Sequence, residues 1–289
     1  MCFCLVMKSS CNILLEERIK FGYLFRLGYI RITNQYLIDK MSYFNDKLKN
    51  ITLKEVLSLI IILFVIQYML NVLNIVYMDS VWIYIVIIFY FIFKLRNEIF
   101  TIKKDIFEVF EYNTVKLTIS LVVLNIFFSY GMLYFSDYIL NIIPSFNLSN
   151  SFLASGLFAT IIVSPISEEL IFRGVFFNRL QLIIPTVFAI LISSLLFASL
   201  HGFGSIFSAF VFALCVAILY FKTENIFVAI FAHFLNNVIA EIIVFADSGK
   251  ILFTNYAVIG LMSILAIGSF IIISYFVIKE LNTINYNNS

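Results

Sequence analysis

Residues 226–245 read IFVAIFAHFLNNVIAEIIVF, an apolar run of 20 residues with a histidine, His233, within it. A helix of about 20 residues crosses the roughly 30 Å hydrocarbon core of a bilayer. Ionisable side chains are rare at that depth unless they are paired or functional. The run therefore predicts a transmembrane helix that carries a candidate functional residue.

The composition extends this prediction to the whole chain. Hydrophobic residues make up 62% of the 289 residues and charged residues 12%, and the mean hydropathy is +1.03. Soluble domains are about half apolar and a quarter charged. The net charge of +2 is too small to indicate a nucleic-acid partner. We predict an all-α, polytopic transmembrane helical bundle, an integral membrane protein whose surroundings are the lipid bilayer.

The apolar runs predict about eight membrane spans. Lys and Arg concentrate before the first run and after the second, fourth, sixth and last runs. Because positively charged loops stay in the cytosol, both termini are predicted to be cytosolic. The predicted spans are 56–77, 81–95, 117–136, 151–172, 183–200, 205–221, 226–245 and 252–278.

Four segments follow from this reading. Residues 1–48 are a charged N-terminal extension, and the forty residues before Met41 are either a start-site artefact or a disordered, amphipathic extension. Residues 49–149 hold the first three spans and a cytosolic amphipathic linker. Residues 150–245 form the core that carries the polar residues, and residues 246–289 form the last span and tail.

The fourth run ends in SEELIFRG, residues 167–174. Glu169 and Arg173 are four residues apart, so on a helix they share one side and can form an ion pair. Adjacent side chains diverge by about 100°, which leaves Glu168 free to meet another neighbour. A carboxylate in a low-dielectric site can serve as a general base. The alternative is a charged helix end that reaches the cytosolic interface.

Two further patterns place polar groups on later helices. His201 follows Phe197 by one turn at the end of the fifth run, where a lone histidine could simply cap the helix. His233 and Asn237 are four residues apart in the seventh run and face the same way. A carboxylate, two imidazoles and an amide donor are the groups that peptide-bond hydrolysis requires, since a water must be deprotonated and an oxyanion stabilised.

Two chemical routes fit these residues. His201, His233 and Glu168 could bind zinc, which lowers the pKa of a bound water to about 7. Alternatively, Glu168 and His201 activate water directly, and His233 and Asn237 stabilise the oxyanion. The HExxH signature of soluble zinc proteases is absent, so the sequence leaves both routes open and predicts no cofactor other than zinc.

The order of these motifs resembles that of the CPBP intramembrane proteases. That family includes the CAAX prenyl endopeptidases of the Ras-converting type and the bacterial abortive-infection or bacteriocin self-immunity proteins. Its EExxxR motif corresponds to Glu168, Glu169 and Arg173, FxxxH ends at His201, and HxxxN spans His233 and Asn237. The resemblance implies a membrane-embedded protease in which Glu168 activates water and Glu169 and Arg173 brace the site.

The function expected from the resemblance is hydrolysis of membrane-associated or lipidated peptides or proteins. The richness in Ile, Asn, Lys and Phe favours a bacterial cell membrane, with a peptide pheromone, a bacteriocin-like peptide or a regulatory membrane protein as substrate. An alternative is a catalytically idle scaffold that binds a peptide, a bacteriocin or a sensor. A proton-relaying transporter is a third hypothesis, although duplicated halves are not evident.

The predicted topology contains one geometric difficulty. Straight helices ending as predicted would put Glu168 near the cytosolic side and His201 near the opposite side, more than about 10 Å apart. The two side chains could meet if the fourth helix continues past Arg173 toward Arg179. A tilt or a deeper start of the fifth helix would also bring them closer, and we expect a water-accessible cavity in the cytosolic half or near the middle of the membrane.

Overall fold

The computed structural model describes residues 43–73, 81–134, 154–201, 206–247 and 251–288. All of them belong to one compact unit, Ser42–Ser289. Most of the predicted extension 1–48, including the alternative start at Met41, lies outside the described residues. Helices account for nearly all of the described ranges and strands for none of them, which confirms the all-α prediction.

The helices are numbered here in chain order. One long helix, α6, covers residues 154–180 and contains two π-helical segments, Ala159–Val163 and Leu170–Phe177. A short 3-10 helix, Arg96–Thr101, precedes α4. The other helices are α1 (Tyr43–Asn50), α2 (Leu53–Val72), α3 (Val81–Leu95), α4 (Ile102–Val109), α5 (Tyr112–Tyr134), α7 (Thr186–Ser199), α8 (Ile206–Thr223), α9 (Ile226–Ala246), α10 (Ile251–Thr254) and α11 (Tyr256–Asn288).

Five of the described helices are long and apolar enough to cross a membrane, namely α2, α5, α8, α9 and most of α11. Helix α7 is apolar but shorter. Helices occur at all eight predicted positions, while the number of spans and the cytosolic location of the termini stay predictions. The length and composition of these helices, by themselves, indicate an integral membrane protein.

Helix α8 forms the centre of the bundle. Of its apolar window 67% is buried, against 11% for α2, which lies at the periphery. Large apolar side chains of α2, such as Ile61 and Tyr68, are exposed, as expected for a helix that faces lipid. The interior around α8 therefore supplies the rigid frame, and α2 forms one outer wall.

Helix α6 carries the EExxxR residues and continues without interruption to Leu180. The extension past Arg173 toward Arg179 is thereby present. The helix is irregular near Pro165, which has no N–H to donate. In the first π-helical segment the N–H of Ser164 bonds the carbonyl of Ala159, five residues earlier. The next carbonyl, that of Thr160, would pair with residue 165 and so lacks a helical donor.

Helix α1 packs against α6 through a notch at Gly174. A methyl group added to Gly174 would lie only 2.8 Å from Cδ2 of Leu48, which is fully buried. Arg179 donates a hydrogen bond from Nε to the carbonyl of Ile51 at 2.9 Å. These contacts fix the C-terminal half of α6, the helix that carries the acidic residues.

Candidate active site

A buried ion pair lies at the centre of the site. Nη1 of Arg173 is 3.1 Å from Oε1 of Glu169, and the exposed fractions of the two side chains are 1% and 0%. Nη2 of Arg173 also donates to the carbonyl of Ala213 on α8 at 3.0 Å, and its guanidinium lies 4.7 Å from the ring centroid of Phe197. The pairing predicted from the four-residue spacing is therefore present.

His233 is held in a fixed orientation beside this pair. Its Nδ1 lies 2.8 Å from Oε1 of Glu169, and because a carboxylate can only accept, Nδ1 carries the donated proton. The ring lies between two aromatic rings, with centroid distances of 5.7 Å to Phe197 and 5.3 Å to Phe212. In the neutral imidazole the lone pair is therefore on Nε2.

Nε2 of His233 approaches the other carboxylate of the motif. It lies 4.0 Å from Oε2 of Glu168, whose side chain retains 15% of its exposure. The other oxygen of Glu168, Oε1, accepts a hydrogen bond from the hydroxyl of Ser164, one turn earlier on α6. The two adjacent glutamates thus differ: Glu169 is sealed in the interior, whereas Glu168 remains accessible.

Glu168 opens onto a cavity of about 720 Å³. His201 lines the same cavity, so this carboxylate on α6 and this imidazole just after α7 share one wall. Most of the lining is apolar. The lining residues are Leu57, Ile60, Phe64, Ile83, Tyr84, Ile87, Glu168, Ile171, Phe172, Phe176, Leu196, Phe197, Ser199, Leu200 and His201.

His201 is anchored through its own helix. Its Nδ1 lies 3.0 Å from the carbonyl of Phe197, which can only accept, so Nδ1 donates and Nε2 is left for chemistry. The rings of Phe197 and His201 are 4.6 Å apart. Phe197 thus contacts Arg173, His201 and His233. The sequence reading identified Phe197 only as a motif position and missed this packing role.

Asn237 makes a different contact from the one its predicted role requires. Its Nδ2 donates to the orphaned carbonyl of Thr160 on α6 at 2.8 Å, and its Oδ1 accepts from Asn236 at 3.3 Å. Asn125 on α5 in turn donates to Asn236 at 3.0 Å. Asn237 is not among the lining residues of the cavity that holds Glu168. Its predicted contact with an oxyanion stays a prediction.

The zinc route requires three ligands that converge on one point. Within the part of the chain that the structure describes, no group of three His, Cys, Asp or Glu side chains is arranged to hold a metal ion. Nδ1 of His233 is bonded to Glu169 and Nδ1 of His201 to a backbone carbonyl, which leaves Nε2 free in both rings. The described residues therefore hold no assembled three-ligand group, and the zinc route stays a prediction.

Comparison with known proteins supports the resemblance. Residues 150–239 match the model of the family described as type II CAAX prenyl endopeptidase Rce1-like. This match confirms the similarity to CPBP and CAAX proteases, and it contains every predicted site residue from Glu168 to Asn237. No curated protein and no solved structure matches the chain. Helices α2 and α3, which wall the cavity, lie outside the matched segment.

Proposed function

We propose that this protein is an intramembrane endopeptidase that hydrolyses peptide bonds with a water activated by Glu168. The observation that carries the proposal is the position of Glu168, which faces an apolar cavity while its Oε2 lies 4.0 Å from Nε2 of the fixed His233. Ionisable groups are costly in an apolar bundle, so an accessible carboxylate beside an oriented imidazole supports a functional role.

The gap between Glu168 and His233 fits the nucleophile. A separation of 4.0 Å is too long for a direct hydrogen bond and suits a bridging water. Such a water donates one hydrogen to Glu168 and the other to the lone pair on Nε2 of His233. A lone pair of its oxygen is then free to attack a carbonyl carbon in the cavity.

The reaction then follows from the acid–base properties of Glu168. Glu168 accepts a proton as the water oxygen bonds to the carbonyl carbon, which becomes a tetrahedral oxyanion. When the oxyanion collapses, the carbon–nitrogen bond breaks and Glu168 returns the proton to the leaving amine. His201 lies in the same wall with Nε2 available for this proton transfer. The 4.0 Å approach of His233 to Glu168 supports His233 as the imidazole that shares the water.

Glu169 and Arg173 act as positioning residues in this scheme. Arg173 neutralises Glu169, and Glu169 accepts the Nδ1 proton of His233. This hydrogen bond keeps the lone pair of the neutral ring on Nε2, facing Glu168. The pair therefore sets the tautomer of the histidine that orients the water.

The cavity walls indicate the kind of substrate. Leu57, Phe64 and Leu200 line the cavity and are themselves exposed, so the cavity opens at the surface of the bundle on the side of α2. An apolar opening on a lipid-facing surface admits segments that already reside in the membrane. We therefore propose membrane-associated or lipidated peptides as substrates, including bacterial peptides of the pheromone or bacteriocin type.

The proposal is tested by comparative peptidomics of membranes from cells that produce the natural protein, the Glu168→Gln variant or a Glu108→Gln control. Glu108 is an exposed residue of α4 outside the cavity. Fragments made by the natural protein should persist with the control, and their rate of formation should fall by about 10²- to 10⁴-fold with Glu168→Gln. Unchanged fragments with Glu168→Gln would contradict the proposal, and a retained biological effect would support the scaffold alternative.

A further inference from the structure

Tyr84 brings a polar group from α3 into the cavity of Glu168 and His201. The residue lies outside the segment that matches the protease family. Its neighbours in the cavity wall on α3, Ile83 and Ile87, are buried apolar residues. Tyr84 is therefore the only polar side chain that α3 contributes to this wall among the described residues, and no motif of the sequence singles it out.

The hydroxyl of Tyr84 makes no hydrogen bond to any residue that the structure describes, although the carboxylate of Glu168 interacts with it electrostatically. Other tyrosines of the bundle are bonded. The hydroxyl of Tyr90 donates to Glu55 at 2.8 Å and that of Tyr134 to the carbonyl of Leu252 at 2.6 Å. A polar group in apolar surroundings is costly without a partner. A molecule that enters the cavity, such as water or a substrate, can supply the partner that the described residues do not.

The remaining proton donors of the cavity wall are already committed. Ser199 donates its hydroxyl proton to the carbonyl of Leu196 at 2.7 Å, and His201 donates from Nδ1 to the carbonyl of Phe197. Asn237, the donor predicted for the oxyanion, bonds the carbonyl of Thr160. A neutral His201 carries no second ring proton to donate. Among the described lining residues, the hydroxyl of Tyr84 is therefore the one donor without a protein acceptor.

We propose that Tyr84 is a catalytic residue whose hydroxyl donates a hydrogen bond to the carbonyl oxygen of the scissile peptide bond. This inference rests on the proposed hydrolytic function. Attack of water places negative charge on that oxygen, and a hydrogen bond aimed at developing charge in a water-poor site is stronger in the transition state than in the bound substrate. Tyr84 keeps its proton throughout, so the proton balance through Glu168 is unchanged.

The test compares purified Tyr84→Phe and Tyr90→Phe proteins in proteoliposomes. Both substitutions remove a hydroxyl from α3, but only Tyr84 lines the cavity. We expect Tyr84→Phe to lower kcat by about 10²- to 10³-fold with little change in KM, and Tyr90→Phe to stay within a few-fold of the natural protein. A peptide aldehyde, whose hydrate resembles the tetrahedral intermediate, should lose affinity for Tyr84→Phe while the matching peptide alcohol does not.

The outcomes separate this inference from the proposed function. Cleavage that requires Glu168 but proceeds at the natural rate in Tyr84→Phe would overturn the role of Tyr84 alone. A rise in KM at unchanged kcat would also overturn it, because it would show uniform binding of substrate and transition state. Cleavage that is insensitive to Glu168→Gln would overturn both proposals.

Discussion

Glu168 and Glu169 are neighbours in the chain but occupy different environments. Glu169 is fully buried and bonded to Arg173 and His233, whereas Glu168 keeps 15% of its exposure and reaches the cavity. The divergence of adjacent side chains on a helix accounts for the difference. One carboxylate holds the site together, and the other is accessible to water.

The buried pair gives a prediction about stability. Arg173→Met leaves the buried carboxylate of Glu169 without its countercharge, with only the hydrogen bond from His233, and we expect a loss of about 3–5 kcal/mol of unfolding free energy. Combining it with Glu169→Gln should restore part of the loss, because the uncompensated charge is removed. The measurement is equilibrium unfolding in detergent.

The control is another short ion pair at the surface. Nζ of Lys222 lies 2.8 Å from Oε1 of Glu280, with exposed fractions of 40% and 16%. Lys222→Met should cost no more than about 1 kcal/mol. Equal losses for Arg173→Met and Lys222→Met would show that burial does not govern the strength of the inner pair.

At the level of single residues, the sequence was sufficient to predict side-chain contacts between residues of the same helix. The Glu169–Arg173 pair follows from a spacing of four, and the same spacing could have revealed the contact between Ser164 and Glu168. The bond from His233 to Glu169 joins α9 to α6. It depends on how two helices pack, which no local pattern specifies.

Helix α6 is the element that decides the geometry of the site. Its continuation to Leu180 could be predicted from the need for Glu168 and His201 to meet. Its π-helical segments could not be predicted, although Pro165 is a local signal for one lost hydrogen bond. The side-chain amide of Asn237, on α9, donates the hydrogen bond that the carbonyl of Thr160 lacks within its own helix.

This contact predicts a coupling between Asn237 and Pro165. Asn237→Ala removes the donor to the carbonyl of Thr160, which lies at the exposed surface of α6, and we expect a loss of about 0.5–1.5 kcal/mol in unfolding free energy. In a Pro165→Ala background residue 165 has an N–H for that carbonyl, so the same substitution should cost less. Unfolding of the four proteins of this cycle measures the coupling. An identical cost in both backgrounds would contradict the assigned role of Pro165.

Helices α5 and α11 meet at a glycine. A methyl group added to Gly131 would lie 2.2 Å from Cβ of Ala266, whereas one added to Gly268 would meet nothing within 4 Å. Gly131→Ala should therefore force the helices apart and cost about 1–3 kcal/mol. Gly268→Ala, the matched control, should be neutral or stabilising by up to about 1 kcal/mol. Thermal unfolding of both variants measures the difference in stability. Equal stability of Gly131→Ala and Gly268→Ala would contradict the close contact between α5 and α11 at Gly131.

The described part of the molecule is an apolar helical bundle in which two parts of the chain line the cavity that holds Glu168. The acidic and imidazole groups come from the segment 150–239 that matches the protease family, while α2 and α3 supply much of the apolar wall and Tyr84. Composition and apolar runs were sufficient to predict the all-α membrane fold. They could not predict the walls of the cavity, because generic apolar helices carry no information on which neighbour they face.

The central claim is that Glu168 activates a water for peptide hydrolysis inside this cavity. The most direct measurement follows incorporation of ¹⁸O from labelled water into the new carboxyl terminus of a cleaved peptide, with purified protein in proteoliposomes. We predict one ¹⁸O atom per cleavage at a rate that falls by about 10²- to 10⁴-fold in Glu168→Gln, with Glu108→Gln unaffected and the unfolding temperature unchanged. Incorporation at the natural rate in Glu168→Gln would contradict the account.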